Sequence, residues 1–414
     1  MNICFICRNI LRDRGGIETY TLELARALGE QGHMVHIIAQ NKGNLSLGAV
    51  PKGITIHPVD FVENPFYGYL MMDRFIPIDD IRFSVSAARK IRDLSSFVKI
   101  DIVEATDYFR SGFWYAFNRK TPFLLRLHGW FFNRQDGRIN PLGSLSLRER
   151  LLLWMQQKTI DRADIISVVS SDFRNFASEI WKINKEKYRV ILNAVDTFRF
   201  KPDHALPKDL SVLYVGRLVK NKGILVLADA MGEILYHCPQ TKFVFAGKDM
   251  FLKEAGCMAR EYLAQKVPAA QLVFLGEVAP EELLSYYRKS SVVVFPSFYE
   301  ACGIACLEAM ACGCAIVASG VGGIKDMIHH QEQGLLVTPG RPQELAGAIV
   351  RFLQNAPLRE SCAKKAVEKV TQEFNYDKLV RNTLAVYEET IANYQSSVLS
   401  SPNILFGDPK VAKW

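Results

Sequence analysis

The stretch from 291 to 319 constrains the fold more than any other part of the sequence. Two apolar runs rich in β-branched residues, 292–295 and 315–318, flank a segment of helix length. Runs without polar alternation are typical of strands buried on both faces of a parallel sheet. Gly303 can open the helix between them, and Gly313 sits where a C-terminal cap would. The stretch therefore predicts a strand–helix–strand unit.

Two glutamates occupy informative places in this unit. Glu300 falls in the predicted loop between strand and helix, and Glu308 falls inside the helix. Ligands of open parallel sheets bind outside the carboxyl ends of the strands, so Glu300 lies at ligand level. The backbone N–H groups of Cys302, Gly303 and Ile304 would form an anion site in the same crevice. This combination suits a ligand that is part sugar and part diphosphate.

The segment E-A-C-G-I-A-C-L-E-A-M-A-C-G, residues 300–313, resembles the E-x7-E signature of family 4 retaining glycosyltransferases. In that family the first glutamate touches the transferred sugar and the second holds the ribose hydroxyls of the nucleotide. The resemblance assigns these roles to Glu300 and Glu308. It implies an α/β protein of the GT-B fold, in which two Rossmann-like domains face a central cleft and a C-terminal helix crosses back to the first domain.

Three further motifs carry the resemblance. Arg217 and Lys222, in G-R-x-x-x-x-K-G, flank a predicted strand-to-helix turn and match the family's phosphate clamp. A guanidinium and an ammonium there can bind a diphosphate. His128 ends an apolar run and precedes a glycine, as in the His-Gly pair with which the family touches the sugar. Gly15 and Gly16 allow close backbone approach at a helix start, where the family places donor phosphates or the acceptor.

Two places depart from the family pattern. Ala194 stands in 193–196 where the family commonly has glycine, which we expect to alter a turn and not the function. Residues 246–249, Ala-Gly-Lys-Asp, replace a more usual Gly-x-Gly, which leaves the contacts of that loop open.

Length favours two domains, because 414 residues exceed the usual size of one. We expect an acceptor-side domain at 1–200, a donor-binding domain at 201–375, and a returning helix with a tail at 376–414. Within the last segment the helix is predicted over 376–392, with a loosely held tail from 395. The other predicted strands are 34–39, 101–105, 123–129, 165–171, 211–215, 243–246 and 272–275, and the other predicted helices are 83–94, 342–353 and 358–371.

The sequence argues against several cofactors. The first strand–helix–strand unit lacks G-x-G-x-x-G, and its second strand ends at Gln40 instead of an acid, which disfavours a dinucleotide redox cofactor. Cys4 and Cys7 have no second cysteine pair to complete a zinc site and read as buried thiols in a reducing compartment. No D-x-D occurs at a metal-binding place. We expect no metal and no cofactor beyond the nucleoside-diphosphate sugar as co-substrate.

Charge is unevenly distributed along the chain. Residues 1–200 hold 28 Lys and Arg against 21 Asp and Glu, so an anionic partner other than the donor should meet the N-terminal half. Residues 109–138 combine basic and aromatic side chains. They form either a buried strand with a solvated basic rim, or a face for an anionic membrane or a lipid-linked or glycan acceptor. The basic members are Arg110, Arg119, Lys120, Arg126, Arg134 and Arg138.

The functional hypothesis is a retaining, metal-independent hexosyltransferase acting on a glycan, lipid-linked or small-molecule acceptor in polysaccharide or glycolipid assembly. Its expected catalytic residues are Glu300, Arg217, Lys222 and His128, with no nucleic-acid partner. We expect a cytoplasmic enzyme, either free or peripheral at the inner face of the membrane. Two alternatives stay open: a sugar-nucleotide epimerase of the same fold, and a non-catalytic subunit that binds nucleotide sugars. A retaining glycosidase is disfavoured, because its two catalytic carboxyl groups stand ~5 Å apart. We do not expect Glu300 in the loop and Glu308 inside the helix to converge so closely.

Overall fold

The computed structural model describes residues 1–10, 16–41, 52–60, 76–129, 146–181, 183–203, 205–206 and 208–400. Within these ranges the chain forms two parallel sheets covered by helices, and each sheet is built from a separate half of the sequence.

The first sheet has seven parallel strands in the order β3-β2-β1-β4-β5-β6-β7. Its central strands carry no polar alternation and are buried on both faces, as the apolar runs predict. The strands are β1 Asn2–Ile6, β2 Met34–Gln40, β3 Ile54–Val59, β4 Ile102–Thr106, β5 Phe123–Leu127, β6 Ile165–Val168 and β7 Tyr188–Val190. The helices are α1 Gly16–Glu30, α2 Ile78–Leu94, α3 Phe113–Phe117, α4 Leu147–Arg162 and α5 Ser171–Ile180.

The second half repeats this plan. The strands are β8 Asp209–Val215, β9 Lys242–Ala246, β10 Phe251–Leu252, β11 Cys257–Met258, β12 Leu272–Gly276, β13 Ser290–Phe295, β14 Ala315–Ser319 and β15 Leu335–Val337. Six of them form a parallel sheet in the order β12-β9-β8-β13-β14-β15, and β10 pairs with β11 in a short antiparallel hairpin. The helices are α6 Ile224–His237, α7 Ala259–Ala264, α8 Pro280–Lys289, α9 Ile304–Ala311, α10 Ile324–Met327, α11 Pro342–Gln354, α12 Ala356–Glu373 and α13 Tyr376–Ser400.

Strand order reverses once in each sheet, between β1 and β4 and between β8 and β13. A ligand crevice opens at such a reversal, outside the carboxyl ends of the strands. The two crevices face each other, because backbone of the first half touches the loop before α9. A Cβ on Gly129 would lie 2.7 Å from the Cβ of Ala301. The architecture is the predicted pair of Rossmann-like domains around a cleft.

Helix α13 returns to the first half, as predicted. Its buried side chains join the core formed by β1, α1 and β2, and Tyr387 donates a hydrogen bond of 2.6 Å to Oε2 of Glu104 on β4. The helix runs beyond its predicted end at residue 392, because 393–400 contains neither proline nor glycine to stop it. The predicted tail therefore does not begin at 395. Its residues 401–414 lie outside the described ranges, and the domain boundaries at 200 and 375 stay predictions.

Within the described ranges, none of the helices is both long enough and apolar enough to cross a membrane.

Candidate functional site

A cavity of about 300 Å³ opens between the two sheets, and we call it the Lys222 cavity. It brings together most of the residues that the sequence singled out. The predicted residues among its lining are Gly16, His128, Lys222, Glu300, Cys302, Gly303 and Ile304. Of the other predicted residues, Gly15 lies outside the described ranges, while Arg217 and Glu308 are placed elsewhere.

An ion pair lies at the centre of the Lys222 cavity. Nζ of Lys222 is 2.6 Å from Oε1 of Glu300, and the Ser297 hydroxyl donates to the same oxygen at 2.9 Å. The Glu300 side chain is 13% exposed, so the pair is shielded from bulk water but still reachable by a ligand. A cation and a hydroxyl acceptor thus stand side by side, as a sugar diphosphate requires.

Helix α9 points its N-terminus into the same cavity. Gly303 precedes the helix with φ of +89°, a conformation that favours glycine. Within the described part of the chain, the N–H groups of Cys302, Gly303 and Ile304 have no hydrogen-bond acceptor. The loop after β14 supports this turn, since the N–H of Gly323 donates to the Glu300 carbonyl at 2.9 Å. These are the N–H groups that the sequence predicted as an anion site, and anion binding by them stays a prediction.

Tyr214 on β8 organises the loop that carries the predicted clamp. Its hydroxyl donates to the carbonyls of Arg217 and Lys222, at 2.9 and 3.4 Å. Gly223 has φ of +76°, and a Cβ there would meet the Pro296 carbonyl oxygen at 1.9 Å, so only glycine fits. These contacts aim Lys222 into the cavity. The Arg217 side chain is exposed and does not line it, so its part in the clamp stays a prediction.

The loop at 246–249, whose contacts the sequence left open, supports this clamp loop. The N–H of Leu218 donates to the Lys248 carbonyl at 3.0 Å. A Cβ on Gly247 would lie 2.0 Å from the Gly216 carbonyl oxygen. The other departure, Ala194, is buried without a positive φ, so alanine fits its turn.

His128 follows β5 and reaches the cavity from the first half. The Asp107 carboxylate fixes its backbone by accepting from the N–H groups of His128 and Gly129, at 3.0 and 3.2 Å. Burial, followed by the charge of Arg126, lowers the pKa of His128 to about 3, so the imidazole is neutral. Its Nε2 is buried and has no hydrogen-bond partner among the described residues. His128 can therefore exchange a hydrogen bond with a ligand but cannot supply a positive charge.

Glu308 lines an adjoining cavity of about 530 Å³, the Glu308 cavity. The Tyr287 hydroxyl donates to its Oε2 at 3.0 Å, and burial raises its pKa to about 7. Arg199 and Tyr376 line the same space. The two glutamates of E-x7-E thus line different cavities, Glu300 from the loop before α9 and Glu308 from within that helix.

Asn193 connects the two cavities, because it lines both. Its side chain is buried, and Oδ1 has no hydrogen-bond partner among the described residues. The sequence singled out 193–196 only as the end of the first domain. The functional signal was a polar residue among apolar neighbours at a strand end, and sequence reasoning missed it, as it missed Tyr214, Tyr287 and Ser297.

The basic aromatic segment at 109–138 divides between core and surface. Arg126 is buried and paired with Glu104 at 2.7 Å, Arg110 is buried, and Arg119 pairs with Asp164. Trp114, Phe117 and Lys120 are exposed. Residues 130–138, with Arg134 and Arg138, lie outside the described ranges.

Comparison with known families settles what kind of protein carries this site. The family described as "Glycosyltransferase Family 4" matches residues 14–199, and "Glycosyl transferases group 1" matches 196–369. Together the two matches cover most of the chain. The chain belongs to glycosyltransferase family 4.

Solved structures of other proteins have similar folds. The family 4 chain aligns with sucrose-phosphate synthase from Thermosynechococcus elongatus at a TM-score of 0.76 and 23% identity, covering 94% of this chain and 99% of that one. It aligns with Anabaena HepE in complex with UDP and glucose at a TM-score of 0.71 and 19% identity, covering 93% and 99%. These likenesses establish the GT-B fold of this glycosyltransferase family member.

Relatives by sequence are also glycosyltransferases. An uncharacterized glycosyltransferase of Methanocaldococcus jannaschii is 31% identical over 247 residues, covering 56% of this chain and 61% of that protein. A D-inositol 3-phosphate glycosyltransferase of Jonesia denitrificans is 25% identical over 398 residues, covering 91% and 92%. The first alignment thus spans only about three fifths of that relative's length.

Proposed function

We propose that this family 4 member transfers a hexose-type sugar from a nucleoside-diphosphate sugar to an acceptor, with retention of anomeric configuration and without a metal ion. The ion pair of Lys222 and Glu300 beneath the N-terminus of α9 carries the proposal. The similarly folded HepE has been crystallised with UDP-glucose, which supports a nucleotide sugar as donor. The acceptor, whether glycan, lipid-linked or small molecule, is set by the first domain.

Charge stabilisation by the protein supplies the main catalytic effect in this proposal. The bond between the anomeric carbon and the diphosphate oxygen breaks, and negative charge grows on the departing diphosphate. Lys222 and the N–H groups at the start of α9 are fixed in place to stabilise that charge, and Arg217 would add to it from the exposed end of the loop. In this proposal these cations take the role that a divalent metal has in metal-dependent transferases.

Sugar and nucleotide are held by separate groups. Glu300 accepts hydrogen bonds from sugar hydroxyls, with neutral His128 opposite it across the Lys222 cavity. Glu308 accepts from the ribose in the adjoining cavity. The acceptor hydroxyl attacks from the face that the diphosphate leaves, so its oxygen bonds to the anomeric carbon with retention. Its proton passes to the departing diphosphate.

The roles of the cavity residues can be tested by substitution. Lys222→Ala is expected to lower kcat on the order of 10²-fold, the effect of losing one charge-stabilising group. Glu300→Ala should abolish turnover while leaving the Kd of free nucleotide nearly unchanged, whereas Glu308→Ala should weaken nucleotide binding itself. Calorimetry with UDP, GDP and ADP measures the binding. Wild-type turnover in Lys222→Ala would disprove the assignment, and chelator-sensitive turnover would disprove metal independence.

A donor panel separates this proposal from its alternatives. A transferase releases nucleotide steadily only when an acceptor is present. A sugar-nucleotide epimerase would convert the donor without an acceptor, and a binding subunit would bind nucleotide without turnover. Product analysis of the anomeric configuration by NMR then tests retention.

Membrane contact through the first domain also stays a proposal, and α3 and α4 refine it. Trp114, Phe117, Leu147 and Trp154 are 41–65% exposed, and we call them the aromatic face. Phe113 packs against Trp154 with ring centroids 5.9 Å apart, which joins the two helices. Lys120 is exposed near this face. We propose that the aromatic face docks on an anionic membrane, because indole rings suit the headgroup boundary and cations attract anionic lipid.

Liposome flotation tests the aromatic face. The wild type should float with phosphatidylglycerol vesicles at low salt, and the double variant Trp114→Ala/Trp154→Ala should not. Tyr236→Ala is the matched control, since Tyr236 is 82% exposed in the second domain. Failure of the wild type to float with either anionic or neutral vesicles would contradict membrane docking.

A further inference from the structure

The ring of His128 lines the Lys222 cavity and has to be held there by packing. The backbone N–H of His128 donates to Asp107, which fixes the main chain and not the ring. The buried Nε2 of His128 has no hydrogen-bond partner among the described residues. A half-turn about the Cβ–Cγ bond exchanges each ring nitrogen with a carbon, so an imidazole that binds a sugar hydroxyl needs a fixed ring.

Tyr20, in the second turn of α1, supplies this packing. Its ring centroid lies 4.8 Å from that of His128, and the two ring planes meet at 61°, an edge-to-face arrangement. In the part of the chain that the structure describes, no second aromatic ring contacts the imidazole. Tyr20 is 4% exposed and lines the Glu308 cavity. Because edge-to-face pairs prefer a defined geometry, Tyr20 restricts the rotation of the His128 ring.

A buried charge network holds Tyr20 in turn. The Arg126 guanidinium on β5 lies 4.9 Å from the Tyr20 ring centroid. Arg126 donates to both carboxylate oxygens of Glu104 on β4, at 2.7 and 3.3 Å. Tyr387 of α13 donates to the same carboxylate at 2.6 Å. The network therefore fixes the guanidinium that contacts the Tyr20 ring.

The pair of Glu104 and Arg126 is better explained by what it positions than by its effect on stability. Both side chains are fully buried, and removing two charges from water cancels much of what their attraction contributes. Apolar side chains of similar size often stabilise a core equally well or better. The guanidinium contacts Tyr20, and Tyr20 contacts His128. The pair thus acts on the cavity through two successive ring contacts.

We propose that Tyr20 is a positioning residue for the transfer reaction, which holds the His128 imidazole at the angle at which a ring nitrogen meets a hydroxyl of the transferred sugar. Arg126 and Glu104 keep Tyr20 in place from inside the first half. Tyr20 acts through His128 and need not touch the sugar. The effect on turnover rests on the proposed transfer function, while the effect on the His128 ring does not depend on it.

Tyr20 also keeps the imidazole neutral, because it shields the ring from water. Burial is the main cause that lowers the pKa of His128 to about 3, and the charge of Arg126 adds to it. Without the Tyr20 ring, water reaches the imidazole and its pKa rises toward the ordinary 6.5. A protonated imidazole cannot accept a hydrogen bond. The other titratable groups that face His128 are Asp107 at its backbone and, across the Lys222 cavity, Lys222, Glu300, Cys302 and Cys306.

NMR of the full chain with ¹³C-labelled histidine rings tests the contact directly. Tyr20→Leu removes the aromatic ring, whereas Tyr20→Phe keeps it. Phe5→Leu is the matched control, because it removes a ring from the same core on β1, which β4 separates from β5. The signal of His128 is assigned by its loss in His128→Asn, and melting temperatures check folding. We expect the ring current of Tyr20 to displace this signal in the wild type, and the displacement to disappear in Tyr20→Leu alone.

The same signal reports the charge of His128. Between pH 5 and 8 it should not titrate in the wild type, in Tyr20→Phe or in Phe5→Leu, because the lowered pKa lies below this range. In Tyr20→Leu the midpoint should rise by on the order of two pH units or more. An unchanged signal without titration in Tyr20→Leu would overturn the proposal. Equal changes in Phe5→Leu would overturn it too, since they would follow from general loosening of the core.

Turnover at saturating donor gives the second readout. Tyr20→Leu should lower kcat on the order of 10- to 100-fold, the effect of losing the alignment of one contact, and leave the Kd of UDP within about twofold of the wild type. Its kcat relative to the wild type should fall further from pH 7.5 to 5.5, as the imidazole becomes protonated. Tyr20→Phe should retain most of kcat.

The kinetic result separates positioning from nucleotide binding. A loss of UDP affinity in Tyr20→Leu as large as the loss of kcat would show that Tyr20 binds the nucleotide, and would overturn the positioning role. Absence of turnover in the wild type with every donor and acceptor would contradict the proposed function. The NMR comparison would still decide whether Tyr20 holds the ring of His128.

Discussion

The proposed ribose contact of Glu308 would make donor binding sensitive to pH within the neutral range. Burial raises its pKa to about 7 from an ordinary 4.5, while the hydrogen bond from Tyr287 and the charge of Arg199 act in the opposite direction. Only the ionised carboxylate accepts from two ribose hydroxyls. The folded protein holds this proton more tightly than the unfolded chain, so the same group also disfavours folding as pH rises from about 4.5 to 7.

Nucleotide affinity should therefore fall as pH drops below about 7. The Kd of UDP is expected to rise toward about tenfold per pH unit on the acid side, the limit for one coupled proton. Glu308→Gln should bind UDP weakly, with a Kd that does not change with pH. In the exposed control Glu360→Gln, the Kd should change with pH as it does in the wild type. Calorimetry from pH 5.5 to 8.5 measures this. A flat wild-type profile would refute the assignment of Glu308.

Gly129 controls how closely the two halves approach. Its φ is +84°, and a Cβ there would lie 2.7 Å from that of Ala301. Gly129→Ala is expected to lower stability by about 1 kcal/mol through backbone strain and to lower turnover by separating Ala301 from the first half. Ala301→Gly in the same chain should restore turnover but not stability.

Gly347→Ala is the control for Gly129, since a Cβ at Gly347 in α11 meets nothing within 4 Å. This substitution should be neutral or stabilising, as in other helix interiors. Thermal melts and initial rates decide the matter. Equal behaviour of the two alanine variants would mean that the contact with Ala301 is dispensable.

Helix α13 completes a buried charge network instead of merely covering a surface. Glu104 and Arg126 are both fully buried, and Tyr387 supplies the third hydrogen bond to this pair. Tyr387→Phe removes that donor and leaves a carboxylate oxygen short of a partner inside the core. The expected loss is about 1–3 kcal/mol of unfolding free energy. The control Tyr236→Phe, on an exposed residue, should change nothing. Chemical denaturation measures both, and equal stability would show that the network does not need the hydroxyl.

Local elements were predictable where the apolar runs and the glycines at helix boundaries indicate the same element. Strands β13 and β14 with α9 follow from their apolar runs and from Gly303 and Gly313, both with positive φ. The separation of Glu300 and Glu308 into two cavities was not predictable, because it depends on Tyr287 from another helix. Nor was the meeting of Arg8 and Arg110 on the two carboxylate oxygens of Asp80. Their meeting is decided by strand order, which periodicity does not encode.

Polar contacts between α10 of the second half and α5 of the first half hold the two sides of the cleft together. Asp326 in α10 accepts from the N–H of Ser171 at 2.8 Å, at the N-terminus of α5, and Lys325 lies 3.2 Å from Asp172. An acid at a helix N-terminus is favoured by the dipole, while an exposed ion pair contributes little. Asp326 is therefore the stronger of the two contacts.

Asp326→Ala should open the cleft and Lys325→Ala should hardly do so. We expect a larger radius of gyration for Asp326→Ala in small-angle scattering without nucleotide, and a several-fold higher KM for the donor. Saturating UDP should restore the wild-type radius, since ligand binding favours the closed state. Exposed Lys364→Ala is the control. An unchanged radius in Asp326→Ala would show that other contacts hold the halves together.

The return of α13 has a consequence for synthesis on the ribosome. Leu379, Val380 and Tyr387 belong to the same core as Ile3 and Phe5, which are made long before them. The first half therefore cannot finish folding until α13 has emerged, although domains made early usually fold early. The second half, whose sheet is complete by Val337, is free to fold before it. Nascent chains released before residue 376 should contain a native second half joined to an incompletely folded first half. We therefore expect a chaperone to bind the N-terminal half.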